Sequence, residues 1–430
     1  MLPRPQVTQA GRAALSSLLK REVSAHRIPA TFMGVTNADG ELFWAQAGLK
    51  EFGNPASGEV AEGTMLQLFS MTKLVTSLVD RGMAALDDPD LLDEHIPEIS
   101  KQDILVAYDE SGPTYVPKKK RLTLRMLLSH SSGLGYAGRN PLIGRWQKEH
   151  DAGRPGQGAK EWLGPLCFEP QTRWRYGTSV DWAGILLERV SGMKLGDWMQ
   201  ANIFAPLGIT SITFEPSPEA QAKLMTMTYR KDRKELSIPE PAMRPQGGHA
   251  GIKRDMNRRG RHNGGGGLYG TARDYLRFLR GVLASRGAAP GEGILSRAMF
   301  EELFTNALPP RSEGTKPYAD CAKSMAWGTF TDPELLKNDG QGLSHSVGFM
   351  ISTMDSCHGR KAGSGTWDGA AKSEYWVDPT SGIAAVFATN LTSPNPDHYM
   401  KMYNEFERTL YDSLEEGASD AAPVTLRSNL

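Results

Sequence analysis

The sequence predicts an α/β fold: one antiparallel sheet built from both ends of the chain, flanked by helices, with a mainly helical segment inserted between its halves. Two observations carry the sheet. Apolar, β-branched stretches joined by a tight turn lie near the start, and a second such pair lies near the end. A third carries the insertion, because the long middle of the chain shows helical apolar spacing broken by Gly and Pro loops. The expected limits are 1–100 and 210–415 for the sheet domain and 101–209 for the helical one. Residues 416–430 are expected as a disordered tail.

Taken in order, Gln9 to Glu22 carries helical spacing through Leu15, Leu18 and Leu19. Thr31 to Val35 and Leu42 to Ala47 follow as strands, joined by the turn residues Asn37-Ala38-Asp39-Gly40. Met71 to about Leu86 reads as a helix ended by Asp87-Asp88-Pro89, with proline as the breaker. Asp181 to Val190 and Met193 to Ile203 read as helices. Pro239 to Gly267 is basic and glycine-rich and reads as a long surface loop. Ala272 to Leu283 is helical again. Ser373 to Val377 and Ile383 to Ala388 are strands about the turn Asp378-Pro379-Thr380-Ser381-Gly382, and a last helix spans about Asp397 to Leu414. No internal repeat is visible.

Composition narrows the function classes. The 430 residues carry 49 basic and 49 acidic side chains, which argues against nucleic acid or an anionic membrane as partner. No aromatic interleaving accompanies the basic loop. No run approaches the roughly 20 apolar residues of a membrane helix. The N-terminus lacks the continuous apolar region of a signal peptide, so a cytoplasmic location is expected. The final Ser428-Asn429-Leu430 differs in one residue from the peroxisomal Ser-Lys-Leu address, which makes the peroxisome the alternative. Cys167, Cys321 and Cys357 are too few and too scattered for a zinc site or a disulfide framework. No metal and no cofactor are expected. Cys357-His358 reads as a plain free cysteine beside a histidine rather than a catalytic pair.

Three short motifs carry chemistry. In Phe69-Ser70-Met71-Thr72-Lys73, serine and lysine three apart share one helix face. A serine at a helix start feels the positive end of the dipole, and a neutral lysine beside it serves as base. Alone, S-x-x-K is a weak signal, and the ordinary reading of the serine is a helix cap. In Trp174-Arg175-Tyr176-Gly177-Thr178-Ser179-Val180-Asp181, a tyrosine just before a helix can project its hydroxyl into a cleft and share a proton with Lys73. Its plain alternative is an amphipathic anchor for that helix. In Gly365-Thr366-Trp367-Asp368-Gly369-Ala370-Ala371, a glycine turn at a strand edge lets a backbone N–H approach a substrate carbonyl. With the N–H of Ser70 it would complete an oxyanion hole; otherwise it is a simple bulge. No G-x-S-x-G elbow occurs, which disfavours an α/β-hydrolase, and His130 reads as structural within its Ser-His-Ser-Ser-Gly turn.

Together, in this order, the motifs resemble the class C β-lactamase and penicillin-binding-protein superfamily. They are most similar to its esterase branch and to the fungal lovastatin-acyltransferase type. Leu127-Leu128-Ser129-His130-Ser131-Ser132-Gly133-Leu134, Ile203-Phe204-Ala205-Pro206-Leu207-Gly208-Ile209 and Gly264-Gly265-Gly266-Gly267-Leu268-Tyr269-Gly270 add to the likeness, which spans roughly Ile28 to Leu410. The resemblance implies a β-lactamase/transpeptidase-like fold with the cleft between sheet and helices. It assigns Ser70 as the acylated serine, Lys73 and Tyr176 as its proton partners, and Ala370 as the second oxyanion donor. Trp367, Gly369 and Thr178 would line the substrate.

Two departures bear on substrate. Thr178 stands where β-lactamases carry an asparagine, which weakens bonding to a β-lactam amide. The third motif has two registers, Lys361-Ala362-Gly363 and Trp367-Asp368-Gly369. The resemblance favours the tryptophan register, because esterases of this group place W-x-G the same distance before a strand like Trp376-Val377-Asp378-Pro379; it replaces a cation with an aromatic wall. The expected function is therefore a serine acyltransferase or carboxylesterase of secondary metabolism, acting on small esters or thioesters with an alcohol or water as acceptor. An acyl carrier protein or a CoA thioester is a candidate donor. A β-lactamase or D-alanyl peptidase is the alternative, and a non-catalytic binding protein of the same fold is a further one.

Overall fold

The computed structural model describes residues 4–78, 85–230, 235–237, 262–289, 291–327, 333–393 and 397–415. Most of the expected glycine-rich loop (239–261), part of the expected helix after Met71 (79–84) and the tail with Ser428-Asn429-Leu430 lie outside the described residues.

The chain opens with helix α1 (Gln9–Ser24), whose first turn is capped by Thr8 through its hydroxyl and the N–H of Gly11. A hairpin follows, β1 (Thr31–Thr36) and β2 (Glu41–Ala47). Asn37 closes its turn by accepting from the N–H groups of Asp39 and Gly40. The other five strands of the main sheet come from the far end of the chain: β3 (Leu343–His345), β4 (Met350–Ser352), β5 (Gly365–Gly369), β6 (Ser373–Asp378) and β7 (Ile383–Thr389). The sheet order is β3-β4-β5-β6-β7-β1-β2, and every neighbouring pair is antiparallel. The two termini therefore join at β7–β1, with Phe387 opposite Met33.

Both faces of this sheet are covered, which explains why β7 in its interior is buried along its whole length and apolar at every residue but the last. On one face Met33, Val35, Trp376 and Phe387 pack with Leu15 and Leu19 of α1 and with Tyr403 and Phe406 of the last helix, His398–Asp412. On the other, Phe32, Tyr375, Val377 and Val386 meet Leu276 and Leu279 of the amphipathic helix Ala272–Ala284 and the helices beyond it. That second face carries the candidate site.

Several expectations shift. Pro89 opens a helix, Pro89–His95, instead of ending one; Asp88 caps it, and a proline at the first helical position gives up an N–H that has no partner there. The helix expected from Met193 is α-helical only over Leu195–Met199 and continues as a π-helical turn, Gln200–Phe204. The middle also holds a two-stranded hairpin, Ile104–Asp109 with Gly112–Val116, whose first strand opens on the apolar run Ile104-Leu105-Val106 and which is not among the expected strands. The last helix stops at Asp412, and Leu414–Glu415 then pairs with Gln6–Val7. No described helix is long and apolar enough to cross a membrane.

Candidate active site

Ser70 sits in a tight 3-10 turn, Phe69–Met71, that leads directly into the helix Thr72–Ser77. The turn is clamped from several sides. The N–H of Leu68 donates to the carbonyl of Leu268, the N–H of Leu268 donates to the Thr72 hydroxyl, and the buried Tyr275 hydroxyl donates to the carbonyl of Met71. Phe69 adopts φ +47°, a left-handed conformation that costs a bulky residue about 1–3 kcal/mol and persists only where the surroundings enforce it. That strain lies immediately before the candidate nucleophile.

Lys73, one helical turn on, is 3% exposed. Its ammonium reaches Ser70 Oγ at 3.2 Å and donates to the carbonyl oxygen of Gly265. Tyr176 enters from 106 residues away: its hydroxyl lies 2.5 Å from Ser70 Oγ, and its ring lies 4.6 Å from Lys73 Nζ. Tyr176 is positioned by zippering its loop onto the Ser-His-Ser-Ser-Gly turn. There the N–H of Arg175 donates to His130 O, that of Gln171 to Ser131 O, and the hydroxyls of Ser132 and Ser179 bond at 2.9 Å. The structure thus places both Lys73 and Tyr176 within hydrogen-bonding distance of Ser70.

Trp367 lies on β5 with its ring 5.6 Å from that of Tyr176. Gly369 follows where a Cβ would come within 2.8 Å of the Leu68 carbonyl oxygen, so only glycine lets the strand end press against the Ser70 turn. Ala370 comes next, at the exposed end of that strand. Thr178 is buried just before the helix Ser179–Ser191. Lys361, the competing third-motif residue, is half-exposed and paired with Asp355 at 3.0 Å. His358 is buried and lies 3.8 Å from Glu407 of the last helix, while Cys357 is exposed.

Histidines and tryptophans form the wall behind Tyr176. His130 lies 5.0 Å from the Tyr176 ring, 5.6 Å from Trp174 and His345, and stacks on Trp367. Burial pushes its pKa well below the ordinary histidine value, with His345 and Lys73 adding to the effect. Burial likewise pushes His345 down to about 4. His345 Nδ1 faces the carbonyl of Ser346 at 2.6 Å, so it carries the ring proton and Nε2 is an acceptor. Both rings are neutral near pH 7, and His130 packs beyond its own turn against Trp174, Tyr176 and Trp367.

Three site residues escaped the sequence. Asp181 and Gly265, both buried, and the partly buried Tyr136 form a hydrogen-bonded group beside Lys73. The Asp181 carboxylate accepts from the N–H of Gly265 at 2.9 Å and from the Tyr136 hydroxyl at 3.0 Å. The glycine run, expected at the surface, is buried at Gly264, Gly265 and Gly267, wedged between the Ser70 helix and the helix after Tyr176. Among the described residues no cluster of His, Cys, Asp and Glu could hold a metal ion.

The sequence model of one protein family, Beta-lactamase, matches residues 15–409. The chain belongs to the beta-lactamase family. Within this family it is similar to a lovastatin esterase of Penicillium rubens, 30% identical over 346 residues, covering 77% of this chain and 80% of that one. It is also similar to a monacolin J acid methylbutanoyltransferase of Aspergillus terreus, 26% identical over 366 residues, covering 82% and 83%. The solved structure of unliganded simvastatin synthase from Aspergillus terreus matches with a TM-score of 0.78 at 24% identity, over 95% of this chain and 99% of that one. This last likeness shows the shared β-lactamase/transpeptidase fold.

Proposed function

We propose that this member of the beta-lactamase family is a serine acyl-transfer enzyme of secondary metabolism, an acyltransferase or carboxylesterase acting on small-molecule esters or thioesters. Ser70 Oγ attacks the carbonyl carbon, and its proton passes to the Lys73–Tyr176 pair. The tetrahedral intermediate collapses, the leaving alcohol or thiol takes that proton, and the acyl group stays on Ser70. An alcohol or water then attacks the acyl-enzyme, gives its proton to the same pair, and Ser70 recovers it on release. The N–H groups of Ser70 and Ala370 would stabilise the oxyanion at both steps. An acyl carrier protein or a CoA thioester is the donor class to test first.

The observation that carries this reading is Ser70 Oγ held between Tyr176 Oη at 2.5 Å and Lys73 Nζ at 3.2 Å. The names of the fungal relatives support ester and acyl-transfer chemistry over β-lactam hydrolysis. So does the pairing of Lys361 with Asp355, while Trp367 stands beside Tyr176. The experiment is a substrate panel of short-chain p-nitrophenyl esters, acyl thioesters and nitrocefin. The expected result is turnover of the esters and thioesters with poor nitrocefin cleavage. Efficient nitrocefin hydrolysis, at kcat/KM of about 10⁴ M⁻¹s⁻¹ or more, would overturn it in favour of a β-lactamase.

A further inference from the structure

We infer that Asp181 is a positioning residue that sets both proton partners of Ser70 at once, one through Gly265 and the other through Tyr136. The inference rests on the acyl-transfer reading and adds to it a fourth side chain on which acylation depends.

Asp181 lies in the first turn of the helix that follows Tyr176, and it is 2% exposed. A carboxylate that far from solvent is costly unless hydrogen-bonded, so its partners indicate its role. One oxygen accepts the N–H of Gly265 at 2.9 Å, and the carbonyl of that same residue accepts from Lys73 Nζ. Gly265 is thus held at its nitrogen by Asp181 and holds the Lys73 ammonium at its oxygen. The fit admits no side chain, since a Cβ on Gly265 would stand 2.5 Å from Asp181 Oδ1. Asn263 supports the same N–H through its side-chain oxygen at 3.0 Å, and the Thr76 hydroxyl fixes the preceding carbonyl, that of Gly264, at 2.8 Å.

The other carboxylate oxygen accepts from the Tyr136 hydroxyl at 3.0 Å. The Tyr136 ring meets the Tyr176 ring edge-on, with centroids 5.6 Å apart, and lies 6.0 Å from Lys73 Nζ. One carboxylate therefore ties together the glycine loop under Lys73, the loop bearing Tyr136, and the helix whose preceding turn carries Tyr176. Without it, the carbonyl that orients Lys73 and the ring that backs Tyr176 would each lose a fixed point. A displacement of about 1 Å at a catalytic group costs on the order of a hundredfold in rate. Asparagine at this position keeps an acceptor for Gly265, and the Tyr136 hydroxyl can turn to accept from its amide. Alanine keeps neither bond.

The test compares the parent with Asp181→Asn, Asp181→Ala and Tyr136→Phe. It follows single-turnover acylation of Ser70 by a p-nitrophenyl ester, with KM and thermal unfolding read alongside. The prediction for Asp181→Ala is an acylation rate lower by about a hundredfold with KM changed less than about threefold. Asp181→Asn should recover to within about tenfold of the parent, which keeps the test valid if the alanine variant folds poorly. Tyr136→Phe should add little on top of Asp181→Ala, because both remove the same bond. Acylation within about threefold of the parent for Asp181→Ala, or a loss confined to KM, would overturn the positioning role while leaving the acyl-transfer reading intact. A parent whose Ser70 is acylated by no ester and labelled by no phosphonate probe would instead sink the acyl-transfer reading, and the positioning role with it.

Discussion

Two cationic side chains buried on opposite faces of the main sheet, Arg360 and Lys73, sit in opposite settings. On the face covered by α1 and the last helix, Arg360 and Glu407 form a fully buried pair at 2.7 Å. Burial works against the Glu407 carboxyl, yet the guanidinium holds its pKa below the ordinary range. Nearby, the buried Asp378 collects the N–H groups of Lys361, Thr380 and Ser381 and the hydroxyls of Ser381 and Tyr411. On the face with the candidate site, Lys73 makes no salt bridge among the described residues. It is bonded to a serine hydroxyl and a backbone carbonyl, and two tyrosine rings flank it. A charge matched by an opposite one stabilises the fold and is chemically inert. An amine set among neutral groups can take the proton of the hydroxyl beside it in its unprotonated form.

If that contrast is correct, substitutions on the two faces separate rate from stability. The largest expected effect is on the site face. Lys73→Ala and Tyr176→Phe should each lower kcat/KM by about a thousandfold, with the double variant little worse than the worse single, because the two act as one relay. Steady-state kinetics with an activated ester checks this, and fully multiplicative losses would reduce Tyr176 to a wall. Their denaturation midpoints should stay close to the parent's.

On the opposite face, Glu407→Ala leaves Arg360 charged and buried without its partner. It should lower unfolding free energy by about 3–5 kcal/mol, measured by urea denaturation, while kcat per folded molecule is unchanged. A loss of kcat without a loss of stability would break the contrast.

The smallest effect sharpens it at the boundary. The folded pKa of His345, about 4, lies below the unfolded value of 6.5, so the unfolded chain takes up the proton first. The stability linked to His345 is full above pH 6.5 and is lost as pH falls toward 4, on the order of 3 kcal/mol in all. His130, lowered in the same direction, adds to the slope. Thermal unfolding between pH 7 and pH 4.5 should show the decline, and His345→Gln should flatten it. An unchanged slope in that variant would remove His345 as its source.

What was legible in the sequence is what has a local period or a fixed spacing. The β1–β2 hairpin and the β6–β7 pair announce themselves by apolar runs about a turn, and their joining into one sheet is read from strands at both ends of the chain with helices between. Ser70 and Lys73 share a helix face, so their contact is readable from a three-residue interval; Tyr176 was readable only through the joint order of the motifs. Asp181 was not, because its partners Gly265 and Tyr136 lie 84 and 45 residues away. An acid in the first turn of a helix has an ordinary explanation in the helix dipole. The signal present was its setting, between Val180 and Trp182 in a turn with no exposed residue. The glycine run misled for a related reason. Glycines mark flexible loops and close approach alike, and only the neighbouring chain distinguishes the two.

The central claim is that Ser70 carries the acyl group, and intact-mass spectrometry of the quenched enzyme tests it most directly. The parent, mixed with a short-chain p-nitrophenyl ester or acyl thioester, should gain the mass of one acyl group, mapped by peptide analysis to Ser70. Ser70→Ala should gain none and should turn over at least a thousandfold more slowly, about the loss expected when a nucleophile is removed. An adduct on another residue, or turnover by Ser70→Ala near the parent's rate, would contradict the account.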